Sequence, residues 1–282
     1  MTRDLRVLAR PGLSPGPGAF AGGVGAEVTP EFDVSATYRG SSSFFAVYYD
    51  NSFGDSTGGS LADAVLARCD PDYQQVFGYF RGTAAPVPMT CVIYTGPGGY
   101  HYGCLDNVLY VTGNTLAPPN SPDATTALAV LVAEEVEVFQ AAQGIGWNCG
   151  DTNGEGLSRV LAEELYPGTL DYYRTADVWL DSGRPDYVGN NAGNDQDPFS
   201  NGCSVAFLYY LHYLLGYDWA TIVAAGGTTL EQIFQNLTGQ SGGYQALRAS
   251  VDARYPLGSP SGLAQDNPFP ALDFDLASVS LV

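Results

Sequence analysis

A chain of 282 residues with 11 basic and 30 acidic side chains has a formal charge of -19, and every one of its basic residues is arginine. That balance repels nucleic acid and anionic lipid, so neither is an expected partner, while small cations and a soluble surface are favoured. No run of about 18 apolar residues marks a membrane span, and the length gives room for one large domain or two packed lobes with a sizeable core.

Residues 1–30 open with "MTRDLRVLARPGLSPGPG", which lacks the continuous apolar core of a secretory signal and reads as an extended Gly/Pro-rich arm. A folded region is expected over 31–256, sheet-rich from 31 to 125 and helical from 126 to 256, followed by an irregular tail over 257–282. Strands are expected in "EFDVSATYRG", "SSSFFAVYYD", "MTCVIYT" and "NVLYVTG", where apolar residues alternate or cluster in short runs. Between them, Leu61, Val65, Leu66, Tyr73, Val76 and Phe80 recur near the helix period, with Pro71 expected to interrupt. Five cysteines lie scattered without CxxC spacing, which excludes zinc ribbons and thioredoxin-like chemistry; reduced thiols, and with them a cytoplasmic setting, are favoured over a disulfide framework.

The most informative stretch is "LAVLVAEEVEVFQAAQG", residues 128–144. A helix apolar on all sides is a buried one, and buried carboxylates need a cation, a hydrogen-bond donor or a proton. Glu134 and Glu137, three residues apart, share a face, while Glu135 points elsewhere. A short Gly-containing bend leads to "NCGDTNGEGLSRVLAEELYP", with a cap expected at Asn153 and Glu155 in the first turn of the next helix. Downstream, a loop around Asp195 and Asp197 precedes the apolar helix "CSVAFLYYLHYLLG", closed by Gly216. Thr228 and Glu231 then have capping-box spacing before "LEQIFQNLTG", and "YQALRASVDARYP" is a last helix.

This order resembles the gluzincin metallopeptidases, whose signature is HExxH followed by a distant Glu. "AEEVE" stands in that slot, with Ala133 and Glu137 in place of the two histidines, Glu134 at the position of the catalytic glutamate and Glu155, 18 residues after Glu137, at that of the third ligand. The segment from "AEEVE" to "ELYP" also resembles a stretch of uncharacterised bacterial proteins, which implies that the motif belongs to that family rather than being decay in this chain. The resemblance implies a zincin-like α+β fold: a twisted N-terminal sheet, a central glutamate helix and a helical C-terminal lobe.

Three accounts of the glutamates stay open. Arg159 is four residues after Glu155, the spacing of a helical ion pair, and can compensate the cluster as a structural partner. A divalent cation held by Glu137, Glu155 and His101 is the second, with calcium or magnesium suiting carboxylates better than zinc; the third is simple exposure. His101, in "GGYHYGC", follows a strand positioned to pass beside the helix. The functional expectation is a non-catalytic pseudo-peptidase acting through binding or self-assembly. The alternatives are a metal-dependent hydrolase with a carboxylate-rich site and a structural subunit of an extracellular assembly.

Overall fold

The computed structural model describes residues 32–193 and 196–269. The expected arm, residues 1–30, lies outside them, as do Asp195 and the end of the tail. Five strands form one mixed sheet: β1 (Ala36–Ser41), β2 (Phe45–Asp50), β3 (Met89–Tyr94), β4 (Gly99–Tyr100) and β5 (Val108–Thr112), in the spatial order β1-β2-β3-β5-β4. The three central strands are parallel, and the edge strands β1 and β4 run antiparallel to their neighbours. Alternation along the strands sorts the side chains. Phe45, Val47, Met89, Cys91, Ile93, Leu109 and Val111 enter the main core. Val92, Tyr100 and Tyr110 form a smaller cluster on the other side with Phe32 and Tyr48 packed against it, and there Tyr100 and Tyr110 stack with ring centroids 4.5 Å apart.

Helix α1 (Gly54–Tyr79) runs through Pro71 without a break, contrary to the expected interruption. Proline removes one backbone donor, a local cost of about 3 kcal/mol. Leu61, Val65, Cys69, Tyr73 and Val76 bury one continuous stripe on both sides of it, and that burial outweighs the lost bond. Helix α2 (Ala124–Gln143) carries the glutamates. The Asp123 carboxylate accepts from the N–H groups of Thr125 and Thr126 at 3.3 and 2.9 Å, and Gly144 closes the helix in the left-handed region at φ 65°.

After α2 come α3 (Thr152–Leu165), the short α4 (Ala176–Leu180), α5 (Pro198–Tyr209), α6 (Trp219–Ala225), α7 (Leu230–Thr238) and α8 (Gly243–Arg254). Asn153 is not the cap of α3. It lies in the first turn, where its Nδ2 donates to the carbonyls of Gly146 and Gly227 at 2.9 and 2.8 Å and so ties α3 to the loop before α7. The cap of α7 also sits one residue later than expected. Thr229 accepts from Gln232 N–H at 3.1 Å, while Glu231 accepts from Gly242 and Gly243 N–H at 2.7 and 2.8 Å and anchors the start of α8. The apolar helix predicted through Gly216 is α5 followed by a π-helical turn, Tyr210–Leu214, and Asp197 caps its start by accepting from Phe199 N–H. In the tail, Asp266 accepts from the N–H groups of Thr175 and Ala176 at the start of α4, and Phe269 is buried, so this irregular segment is docked on the core.

Helices α3 and α5 approach closely because Gly156 has no side chain. A Cβ there would fall inside the van der Waals shell of both Oγ and Cβ of Ser204. Rotating the hydroxyl relieves only the first clash, so Gly156→Ala should lower stability by about 2–3 kcal/mol, a loss to be read from chemical denaturation.

Among the described residues no helix is long and apolar enough to cross a membrane.

Candidate functional site

The site forms where edge strand β4 crosses α2. A Cβ at Gly99 would come within 2.5 Å of both Val130 Cγ1 and Glu134 Oε1, so only glycine lets the strand backbone lie this close to the glutamate face. Pairing of Tyr100 with Tyr110 fixes the register, and the next residue, His101, is thereby delivered beneath the edge strand, 1% exposed.

Its imidazole is held at both nitrogens. Nδ1 lies 2.8 Å from the Gly103 carbonyl, which can only accept, so this nitrogen carries a proton. Nε2 lies 3.0 Å from Glu137 Oε2 and 3.8 Å from Glu134 Oε2. Burial alone favours the neutral ring. The hydrogen bond to Glu137 and the charges of Glu134 and Glu137, with the Gly103 carbonyl, outweigh that effect and raise the His101 pKa to about 9. At neutral pH His101 is therefore an imidazolium that donates from both nitrogens.

Glu134, Glu137 and Glu155 line one small cleft together with Gly99, Tyr100, Val130, Ala133, Ser158, Arg159 and Leu170. The spacing of the two glutamates on α2 and the short connection to α3 account for this convergence. Arg159 borders the cleft but does not pair with the cluster: among the described residues no ion pair joins it to these three carboxylates. Its Nη1 lies 3.5 Å from the Tyr173 carbonyl. Its charge also faces Asp266, whose pKa burial lifts to about 6, against the lowering effect of the Ala176 and Thr175 N–H groups and of Arg159 itself. The helical spacing to Glu155 is real and both residues line the cleft, but the hydrogen bond of the guanidinium goes to the Tyr173 carbonyl.

Glu135 occupies a different environment. It is 1% exposed, and neither carboxylate oxygen has a hydrogen-bond partner among the described residues. Burial, and secondarily the charge of Asp72 on α1, raise its pKa well above the ordinary carboxylate value. Its environment therefore favours the protonated carboxyl.

The expectation of reduced cysteines does not hold for one pair. Cys104, three residues after His101, is disulfide-bonded to Cys149 in the α2–α3 connection, while Cys69, Cys91 and Cys203 are free and buried. Scattered spacing hid a bridge that depends on β4 and the α2–α3 connection meeting in space. Ligand atoms of His101, Glu137 and Cys149 all lie within 4.8 Å of one another. With Cys149 in the disulfide, its sulfur is not a thiolate ligand, and the donors open to a cation are His101 and the carboxylates.

The fold and cleft thus define an α+β protein in which an edge strand and a central helix enclose a carboxylate-rich, histidine-compensated site. Comparison with family models, curated proteins and solved structures finds no match.

Proposed function

We propose that this chain is a zincin-like pseudo-peptidase, a protein with the layout of a gluzincin cleft that acts through binding or assembly rather than through hydrolysis. The observation that carries the reading is the 3.0 Å contact between His101 Nε2 and Glu137 Oε2. It commits a motif carboxylate to a cation belonging to the protein itself. At the preceding motif position Ala133 offers no donor, so the helix lacks the paired imidazoles that hold zinc with an open coordination position, the arrangement that activates water.

One observation favours a second reading, a metal-dependent hydrolase with a carboxylate-rich site. Anchoring Nδ1 on a backbone carbonyl is the usual way to aim the other imidazole nitrogen at a metal, and the 3.0 Å between Nε2 and Oε2 is only about 0.4 Å short of the separation of two tetrahedral ligands each about 2.1 Å from one ion. Glu137 and His101 would then be ligands, Glu155 a third across the cleft, and Glu134 the base.

Cleavage of casein and of a peptide library separates the two. The expected result is no turnover that responds to zinc or chelator. Activity abolished by chelator, restored by zinc and lost in Glu134→Gln would overturn the non-catalytic reading.

A further inference from the structure

The bridge between Cys104 and Cys149 is placed unlike an ordinary staple. It joins the segment that follows β4 to the connection between α2 and α3, the pieces of chain that directly follow the two elements on which His101 and Glu137 meet. Cys149 Sγ, a ring nitrogen of His101 and a carboxylate oxygen of Glu137 lie within 4.8 Å of one another, and His101 and Glu137 are 1% and 6% exposed. A nitrogen, an oxygen and a sulfur donor converging at a buried point form a mixed set that suits zinc, which takes thiolate sulfur at about 2.3 Å and imidazole nitrogen or carboxylate oxygen at about 2.0–2.2 Å.

We propose that His101, Glu137 and Cys149 form a redox-gated site for a zinc-like divalent cation, which opens when the Cys104–Cys149 disulfide is reduced. The proposal stands independently of the non-catalytic reading, since a site of this kind can be structural or regulatory. In the oxidised chain the Cys149 sulfur shares its bonding electrons with Cys104 and carries no charge to offer a metal. A dithiol reductant supplies two electrons and two protons: the S–S bond breaks, two thiols form, and the reductant becomes a disulfide. The incoming dication then displaces the thiol proton of Cys149 and any proton on His101 Nε2, while Glu137 contributes a carboxylate. The Nδ1 bond to the Gly103 carbonyl, 2.8 Å, already holds the ring with Nε2 toward this point. His101 Nε2 and Glu137 Oε2 are already 3.0 Å apart, so the approach to the about 3.3–3.8 Å separations of a tetrahedral zinc site falls on Cys149, which lies in a connection containing Gly144, Gly146 and Gly150, all at positive φ. A water, or Cys104 freed in the same step, completes the four ligands.

Cobalt(II) is the probe of choice, because thiolate ligation gives it a near-ultraviolet charge-transfer band. Four samples decide the matter: the oxidised chain, the chain reduced with a phosphine, Cys104→Ser and Cys149→Ser. The reduced chain and Cys104→Ser, which has no bridge to open, should both show the band and lose it when zinc displaces cobalt. The oxidised chain and Cys149→Ser should show no band and bind cobalt at least about tenfold more weakly. Three outcomes would overturn the site. The band is absent from both the reduced chain and Cys104→Ser; or it persists in Cys149→Ser, which assigns it to a sulfur other than Cys149, the freed Cys104 or one of Cys69, Cys91 and Cys203; or circular dichroism shows that the reduced chain and Cys104→Ser both unfold, which makes the bridge purely structural.

Discussion

Replacing His101 by leucine should cost about 3–5 kcal/mol of folding stability, the range for removing one partner of a buried ion pair. Glu137, 3.0 Å from Nε2, and Glu134, 3.8 Å from it, would be left with an apolar neighbour in place of a cation. The pH dependence gives the prediction its sign. A histidine whose folded pKa, about 9, exceeds the unfolded value of about 6.5 contributes stability that is fully present below pH 6.5 and is lost as pH rises through 9. At about 1.4 kcal/mol per pKa unit, that contribution comes to about 3 kcal/mol. Other groups around the ring are the Gly103 carbonyl and the Cys149 sulfur, and Glu155 and Arg159 line the same cleft. Urea denaturation of the wild-type chain and of His101→Leu at pH 6, 7.5 and 9.5 provides the check. The gap between the two should be widest at pH 6 and narrow toward pH 9.5; equal stabilities at pH 6, or a gap that widens with pH, would refute His101 as the compensating charge.

Local patterns made one half of this site legible and concealed the other. The apolar run with three glutamates, bounded by Asp123 and Gly144, announces α2, and helical spacing alone places Glu134 and Glu137 on the face that lines the cleft with Glu155. The compensating charge is another matter. Arg159 is the obvious candidate in sequence because it is one helical turn from Glu155, yet the cation that meets Glu137 comes from 36 residues upstream. It arrives through the pairing of a two-residue edge strand too short to produce an alternating pattern. Sequence position alone offers His101 as a ligand on a strand that passes beside the helix, and its direct pairing with Glu137 depends on Gly99 permitting close approach. The disulfide was hidden for the same reason: 45 residues separate its cysteines, and only the folded path of β4 and the α2–α3 connection brings them together. At Pro71 the local breaking tendency is outweighed by a buried stripe that continues on both sides of it.

Glu135→Met should stabilise the protein, and by more as pH rises. In the wild-type chain both carboxylate oxygens of Glu135 are buried without a hydrogen-bond partner among the described residues, a deficit of about 1–3 kcal/mol for an unsatisfied buried polar group even when it is neutral. Arg68 is no remedy, since its guanidinium is engaged with Asp72 at 2.9 Å. Methionine has the same unbranched reach and brings no polar atom, so it fills the space between α2 and α1 without a new deficit. The linkage has the opposite sign to that of His101. Burial, then the charge of Asp72, hold the folded pKa well above the unfolded one. The folded chain therefore keeps a proton that the unfolded chain releases once pH exceeds about 4.3. Above that point wild-type stability falls, relative to the variant, by about 1.4 kcal/mol for each pH unit until the folded pKa is reached, and the deficit is constant beyond it. Denaturation midpoints of the two proteins compared at pH 4, 6 and 8 test this directly. If Glu135 were instead ionised and compensated, the variant would be the less stable protein at pH 8, and the gap would close on acidification as the carboxylate took up its proton.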